Sequence, residues 1–101
     1  MIENQRTISE WADKTFGYPT RERSIARMIE EVDELKRIEI TDDISNFIKM
    51  ADECADIYIT MCQIANTFGF DLHVYIDYKM DINRHRKWKR MGDGTGQHIK
   101  E

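Results

Sequence analysis

Residues 51–65 read Ala-Asp-Glu-Cys-Ala-Asp-Ile-Tyr-Ile-Thr-Met-Cys-Gln-Ile-Ala, a run without proline or glycine that is apolar at most positions. Four of its polar residues follow one another at intervals of three, four and three positions: Glu53, Asp56, Thr60 and Gln63. At about 100° per residue, this spacing places them on one narrow stripe of an α-helix. Because the helix is otherwise apolar nearly all round, we expect it to be buried within a helical protein.

Apolar periodicity and capping residues predict three further helices. The predicted helices run from Thr7 to Gly17, from Arg21 to about Glu39, from Thr41 or Asp42 to about Phe68, and from Leu72 to about Arg90. Their short connections imply antiparallel neighbours. We therefore predict an all-α, antiparallel bundle of about four helices, forming a single domain over residues 1–101 with a flexible, glycine-containing tail from about residue 91.

The size and composition of the chain agree with one small helical domain. Its 101 residues are 41% hydrophobic and 34% charged and include one proline, which fits poorly with a disordered, collagenous or disulfide-knotted chain. A domain of this size buries only about 60 to 65% of its unfolded surface. We therefore expect oligomerisation to complete the bundle.

The sequence indicates a cytoplasmic protein without a membrane partner. No apolar run approaches the length that spans a bilayer, and the N-terminus lacks the pattern of a signal peptide. Cys54 and Cys62 stand on one predicted helix with their Cα atoms about 12 Å apart, too far for a disulfide. We expect both cysteines to be reduced and to lie in the core.

Basic residues are concentrated near the C-terminus. The formal net charge is −4, yet residues 84–90 (Arg-His-Arg-Lys-Trp-Lys-Arg) hold five of the fifteen lysines and arginines. One hypothesis is therefore a small helical module that binds nucleic acid or an acidic protein through this segment. It leaves the polar stripe of the third helix unexplained, and the negative net charge argues against nucleic acid as a partner.

The carboxylates of the stripe call for a positive partner. Burial of Glu53 and Asp56 is costly unless a cation or a solvent-filled cleft meets them. On the second helix, Glu31 and Glu34 flank one edge of the apolar stripe, whereas Asp33 lies nearly opposite. Two such carboxylate pairs on neighbouring helices form the all-oxygen site that Mg²⁺ or Mn²⁺ prefers. The alternative is that these residues face solvent or pair with lysines.

Other metal sites fit the sequence less well. Zinc prefers histidine or cysteine ligands. A di-iron bundle uses Glu-x-x-His, and no histidine here stands three residues after a glutamate. An EF-hand places its acidic residues along a loop, whereas these lie on predicted helices.

Two acidic motifs and both ends of the chain resemble a known family. Glu30-Glu31-Val32-Asp33-Glu34 followed by Glu53-Cys54-Ala55-Asp56 resembles the EExxE and ExxD pair of the MazG-like, all-α nucleoside triphosphate pyrophosphohydrolases. Residues 11–17 and 93–99 resemble the short phage and bacterial dATP/dGTP type, which includes the MazZ-like enzymes. The resemblance implies cleavage of dGTP or dATP to the monophosphate and pyrophosphate, with Mg²⁺ or Mn²⁺, by a homodimer or homotetramer.

The resemblance also implies roles for individual residues. By motif position, the metal ligands are Glu31, Glu34, Glu53 and Asp56. Two glutamates are implied to be catalytic, Glu34 and also Glu30, which would lie behind the ligands or orient the attacking water. The substrate would be bound by Lys79, Asn83 and Arg86, which share one face of the fourth helix, and, as aromatic residues often do at nucleotide sites, by Trp11.

Several of these assignments have alternatives. Trp11 would stack on a base or belong to the core. Ser24 and Arg27 depart from the family pattern, which leaves the substrate-facing part of the second helix open. A degenerate relative that binds nucleotides without hydrolysing them is a third reading of the whole chain.

Overall fold

The computed structural model describes residues 2–100. These residues form four helices, α1 (Gln5–Phe16), α2 (Arg21–Lys36), α3 (Ile44–Phe68) and α4 (Leu72–His85), and two short strands, β1 (Trp88–Arg90) and β2 (Gly96–His98). The helices confirm the predicted all-α class. The chain divides into two compact units, one with α1–α3 that ends at Asp71 and one that begins at Leu72. Among the described residues, no helix is long and apolar enough to cross a membrane.

Helix α1 begins earlier than predicted. Asn4 is its N-cap: the Asn4 side chain accepts the Thr7 backbone N–H at 3.0 Å, and the Thr7 hydroxyl accepts the Asn4 N–H at 2.9 Å. The prediction that Thr7 opens the helix was therefore wrong. The reciprocal pair satisfies free donors of the first turn and so fixes the start of the helix at Gln5.

The first unit has a small core in which α3 packs against α1 and α2. Its buried apolar residues are Ala12, Cys62 and Ala65. Cys54 is exposed, so the expected burial of both cysteines is right only for Cys62. The step of eight positions from Cys54 to Cys62 turns the helix by about 80° beyond two full turns, which moves Cys54 off the packed face.

The predicted burial of α3 holds only in part. The helix begins at Ile44, capped by Asp43, and its first turns expose Ile44, Phe47 and Ile48. A single small unit offers too little apolar surface to cover all sides of a helix of 25 residues. Of the polar stripe, Thr60 and Gln63 lie in the better covered C-terminal half of the helix, whereas Glu53 and Asp56 precede it.

In the second unit, α4 is shorter than predicted and is followed by a β-hairpin. The helix ends at His85 rather than at about Arg90. The Trp88 indole N–H donates to the Asn83 carbonyl at 2.8 Å, which satisfies one of the free acceptors at the end of the helix. The chain therefore leaves the helical path before Trp88.

The hairpin occupies part of the segment that we predicted to be a flexible tail. β1 and β2 pair antiparallel, with Trp88 opposite His98. Gly92 and Gly94 take positive φ angles in the connection, a conformation that costs glycine little. The Asp93 carboxylate accepts the Thr95 N–H at 3.0 Å and braces the turn.

Gly69 ends α3 in the left-handed region, with φ +86° and ψ +34°, and its N–H donates to the Ala65 carbonyl at 2.8 Å. We expect Gly69→Ala to lower the free energy of unfolding by about 1 kcal/mol, because a residue with a Cβ is disfavoured in this conformation. Urea denaturation measures the loss. Gly69→Asn should lose less, since asparagine tolerates this region better. Equal losses in both variants would contradict the conformational explanation.

Candidate metal centre

Helices α2 and α3 bring three of the predicted metal ligands together. Glu31, Glu34 and Glu53 each offer one carboxylate oxygen, and these oxygens lie within 4.8 Å of one another. Glu31 and Glu34 share one edge of α2 because they are three residues apart, and Glu53 faces them from the neighbouring helix. We call these three residues the carboxylate cluster.

The cluster contains buried acceptor atoms that no protein group satisfies. Glu31 is 5% exposed, and its Oε2 atom has no hydrogen-bond partner among the described residues. Oε2 of Glu53 is buried and unpartnered in the same way. Buried polar atoms are rarely left without a partner, because the loss of hydration is costly. Two unsatisfied anionic oxygens beside a third carboxylate are the donor set that a hard divalent cation accepts.

The electrostatics of the cluster agree with this interpretation. The pKa of Glu53 is raised to about 7, first by burial and then by the nearby carboxyl groups of Glu31 and Glu34, which favour its protonated form. The charged form of a carboxyl group is unfavourable in such surroundings when no cation is near. A divalent ion would remove this cost by neutralising the shared negative charge.

The raised pKa predicts that Glu53 destabilises the metal-free protein at neutral and higher pH. The unfolded carboxyl ionises near 4.5 and the folded one near 7, so folding stability falls as the pH rises between these values and stays reduced above 7. Glu53→Gln should therefore raise the Tm of the protein in EDTA at pH 8 by a few degrees and leave it nearly unchanged at pH 4. Thermal denaturation followed by circular dichroism measures both. A variant that melts below the wild type at pH 8 would contradict this prediction.

A cavity of about 510 Å³ lies next to the cluster and includes Glu31 in its lining. Asp56, Thr60 and Gln63 also line it, so three members of the predicted polar stripe face one open space. Asp56 is exposed there and is not part of the carboxylate cluster. Its position in the lining leaves it available to a ligand that occupies the cavity.

Aromatic residues form another part of the cavity lining. Trp11, Phe16 and Tyr18 all line it, and the rings of Trp11 and Phe16 meet edge to face with their centroids 5.3 Å apart. Gly17, which ends α1 with φ +82°, turns the chain between Phe16 and Tyr18. The volume and the mixed lining are typical of a site for a small organic molecule.

Glu30 lies outside the carboxylate cluster. Both of its oxygens accept hydrogen bonds from arginines: Oε1 from Arg23 at 2.9 Å and Oε2 from Arg27 at 2.8 Å. Hydrogen bonding by Arg27 and Arg23 lowers the pKa of Glu30. A carboxylate that is held in this way is a weak proton acceptor, so the predicted role as a base gains no support from the geometry.

The predicted phosphate-binding residues belong to the second unit. Lys79 and Asn83 lie on α4 and Arg86 follows it directly. Lys79 is exposed, whereas Asn83 and Arg86 are half-buried. Their part in substrate binding stays a prediction.

Sequence reasoning did not single out several groups of the cavity lining. Tyr18, Ser24 and Arg23 were not assigned to a site, although Ser24 had been noted as a departure from the family pattern. The sequence feature that these residues share is their position next to Gly17 or in the first turns of α2. Only the packing of α1 against α3 shows that this segment lies at a cavity.

The sequence is similar to those of curated phage proteins, although no family model matches it. It is 37% identical over 95 residues to a dATP/dGTP diphosphohydrolase of Salmonella phage PMBT28, but the matched segment spans only 30% of that longer protein. It is 33% identical over 99 residues to a dATP/dGTP diphosphohydrolase of cyanophage S-2L, where the match spans 98% of this chain and 88% of the relative.

A solved structure also resembles the fold. It is that of a cyanophage S-2L MazG-like pyrophosphohydrolase bound to dGDP and three catalytic Mn²⁺ ions per active site. The TM-score is 0.75 at 29% sequence identity, and the match covers 96% of this chain and 90% of that one.

Proposed function

The chain belongs to the family of phage dATP/dGTP diphosphohydrolases with the MazG-like fold, and from this premise we propose that it hydrolyses a purine deoxynucleoside triphosphate to the monophosphate and pyrophosphate. The observation that carries the proposal is the carboxylate cluster, with its two unsatisfied buried oxygens, beside a cavity of about 510 Å³. The cluster suits divalent cations, and the aromatic lining suits a nucleobase.

The proposed metal ligands are the three residues of the carboxylate cluster together with Asp56. We propose Mg²⁺ as the ion in the cell, with Mn²⁺ as a substitute, because both are hard cations that prefer carboxylate oxygens. When bound, such ions neutralise charge on the phosphate oxygens and lower the pKa of the attacking water. Glu31 is the buried anchor of this set, whereas Glu34 and Asp56 are exposed and so accessible to water and substrate.

The protein residues supply orientation and proton acceptance. Water attacks the α-phosphorus while pyrophosphate leaves from the opposite side, and the proton of the water must pass to a base. Glu34 is our candidate for this base because it is exposed and belongs to the cluster. The lowered pKa and the two ion pairs of Glu30 favour a positioning role for that residue.

We propose that substrate binding uses aromatic and polar side chains. Trp11 would stack on the purine, since its ring lines the cavity and is braced by Phe16. Lys79, Asn83 and Arg86 would receive the outer phosphates. Adenine and guanine are both compatible with this pocket, and dGTP and dATP are the two candidate substrates.

We further propose that the protein acts as a homodimer or homotetramer in the cytoplasm, which would be that of the host cell for a phage protein. Large apolar side chains are exposed on α3 and on α4, including Phe47 and Val74. Large apolar side chains that are exposed in such number favour burial against another subunit. Light scattering coupled to size-exclusion chromatography measures the mass, and a monomer at micromolar concentration would contradict the proposal.

The test of the proposed activity is a nucleotide panel. Purified protein is incubated with each dNTP and NTP in Mg²⁺ or Mn²⁺, and pyrophosphate and monophosphate are measured separately from inorganic phosphate. We expect pyrophosphate in equal amount to dGMP or dAMP, and no product in EDTA. Release of inorganic phosphate with a nucleoside diphosphate would contradict attack at the α-phosphorus.

The same preparation tests the alternative of an interaction module that uses residues 84–90. Binding to a short DNA duplex should be weak and should fall steeply with salt if it is purely electrostatic. Tight, specific binding in the absence of any nucleotide hydrolysis would favour the alternative.

A further inference from the structure

Arg27 connects the carboxylate cluster to Glu30. Its Nη2 atom lies 2.8 Å from Oε1 of Glu31, and its Nη1 atom lies 2.8 Å from Oε2 of Glu30. The planar guanidinium group therefore spans two carboxylates at once, with one nitrogen for each. This is possible because the two glutamates stand three and four residues after Arg27 on the same helix.

We propose that Arg27 is a positioning residue that orients Glu31 toward a divalent ion, and that Glu30 holds Arg27 in place for this purpose. The inference rests on the proposed function, because it takes the carboxylate cluster to be a metal site. Arg27 itself is proposed neither as a metal ligand nor as a group that binds substrate. The inference explains the function of the ion pairs that Arg27 and Glu30 form next to the carboxylate cluster.

The first argument is the torsional freedom of the Glu31 carboxylate. The last torsion of a glutamate side chain is broad and has no sharp preference. Arg27 fixes it by holding Oε1, which leaves Oε2 as the buried, unpartnered acceptor. A metal ion requires its ligand oxygens at defined positions, and groups that orient a ligand contribute strongly to affinity.

The second argument concerns the role of Glu30. A guanidinium ion close to a metal site repels the incoming cation unless its charge is balanced. Glu30 contributes to this balance through its ion pair with Nη1 of Arg27, and its other oxygen accepts a hydrogen bond from Arg23 at 2.9 Å. The Glu30 side chain is 46% exposed, whereas that of Glu31 is 7% exposed.

Stability alone does not account for this arrangement. Ion pairs between exposed side chains contribute little to folding, and both pairs of Glu30 are of this kind. Their effect on the orientation of Arg27 is more important than their effect on folding, because they hold the guanidinium plane against the buried carboxylate of Glu31.

The experiment measures Mn²⁺ affinity without substrate. Free Mn²⁺ is titrated by electron paramagnetic resonance against the purified full chain at constant pH and ionic strength. We expect Arg27→Met to weaken Mn²⁺ binding by about 10- to 100-fold, the usual effect of losing a group that orients a metal ligand. Arg27→Lys should recover only part of the affinity, since a single ammonium nitrogen lacks the rigid, planar pair of nitrogens that the guanidinium group offers to the two carboxylates. Glu30→Gln should give a smaller loss than Arg27→Met.

Lys36→Met is the matched control, because it removes the same charge from an exposed position at the end of α2. It should bind Mn²⁺ within about twofold of the wild type, as expected for a screened surface charge. The Tm of each variant in EDTA separates folding from affinity. If Arg27→Met fails to fold, Arg27→Lys decides the question.

Unchanged or tighter Mn²⁺ binding by the Arg27 variants would overturn the inference. A rise in the KM for the nucleotide with unchanged Mn²⁺ affinity would overturn it too, because this result would indicate that Arg27 contacts a phosphate. A wild-type protein that binds no Mn²⁺ would overturn it as well. A protein that binds Mn²⁺ with the expected dependence on Arg27 but hydrolyses no nucleotide would support the inference and defeat only the proposed activity.

Discussion

Glu53→Gln is expected to lower kcat by on the order of 1,000-fold, a loss comparable to that of a major transition-state interaction. The substitution keeps the size of the side chain but removes one of the charges that the cluster offers to a cation. Glutamine also places an N–H donor among groups that must all accept. Initial rates of pyrophosphate release at saturating dGTP and Mn²⁺ measure the effect.

Asp52→Asn is the control for this prediction. Asp52 stands next to Glu53 but is exposed and lies outside the cluster, so the variant removes the same charge without touching the site. We expect it to retain activity within about twofold, as is usual for exposed charges away from a site. Comparable losses in the two variants would mean that general electrostatics, and not coordination, explain the effect of Glu53.

Stability gives an independent reading of the same substitution. Glu53→Gln should melt above the wild type in EDTA at pH 8, because the pKa of Glu53 is raised to about 7 by burial and by its neighbours. Added Mn²⁺ should stabilise the wild type, since a ligand that binds only the folded state raises its stability. The variant should gain less. An inactive variant that is also more stable than the wild type would separate the loss of function from misfolding.

The acidic site could be predicted from helical spacing because its members are local pairs. Glu31 and Glu34 must share a face of α2 whatever the surroundings, and the stripe that contains Glu53 must share a face of α3. Only the pairing of the two faces required tertiary structure. The amphipathic edge of α2 indicated that pairing in advance, and the structure brings the three carboxylates together.

The ion pairs of Arg27 were equally local but were not predicted. Their spacing of three and four residues is visible in the sequence. However, the same spacing is common on solvated helices, where such pairs carry no function. What distinguishes this set is the burial of Glu31, which depends on the packing of α3 and cannot be read from α2 alone.

The hairpin after α4 lay beyond what periodicity could indicate. Its strands are three residues long, too short for an alternating pattern to stand out. We predicted that the helix continues to about Arg90, whereas it ends at His85 and the Trp88 indole donates back to the Asn83 carbonyl. Glycines at 92 and 94 led us to predict a flexible tail, whereas they take positive φ angles in a turn after which the chain pairs with β1.

The outer phosphates of a triphosphate require cations that are not already engaged. Among the described residues that line the cavity, Arg23 and Arg27 are the cationic ones, and both are paired with Glu30. Arg27 is also bound to Glu31. If either arginine were released to bind a phosphate, Glu30 would lose one of its two ion pairs. Besides the proposed metal ions, the outer phosphates therefore call for a cationic side chain outside these ion pairs, and we propose Arg86 for this role.

Arg86→Met is accordingly expected to lower kcat/KM for dGTP by about 100-fold, the order expected when a charge-assisted contact to a phosphate is lost. Arg84→Met removes the same charge from the last turn of α4, where the side chain is exposed, and should change kcat/KM by less than about threefold. Mn²⁺ affinity without substrate should be unchanged in both variants, in contrast to Arg27→Met. Equal effects at positions 84 and 86 would show that the basic segment acts through its overall charge. A loss of Mn²⁺ affinity in Arg86→Met would instead indicate that Arg86 affects metal binding by the carboxylates and does not act by binding the phosphates.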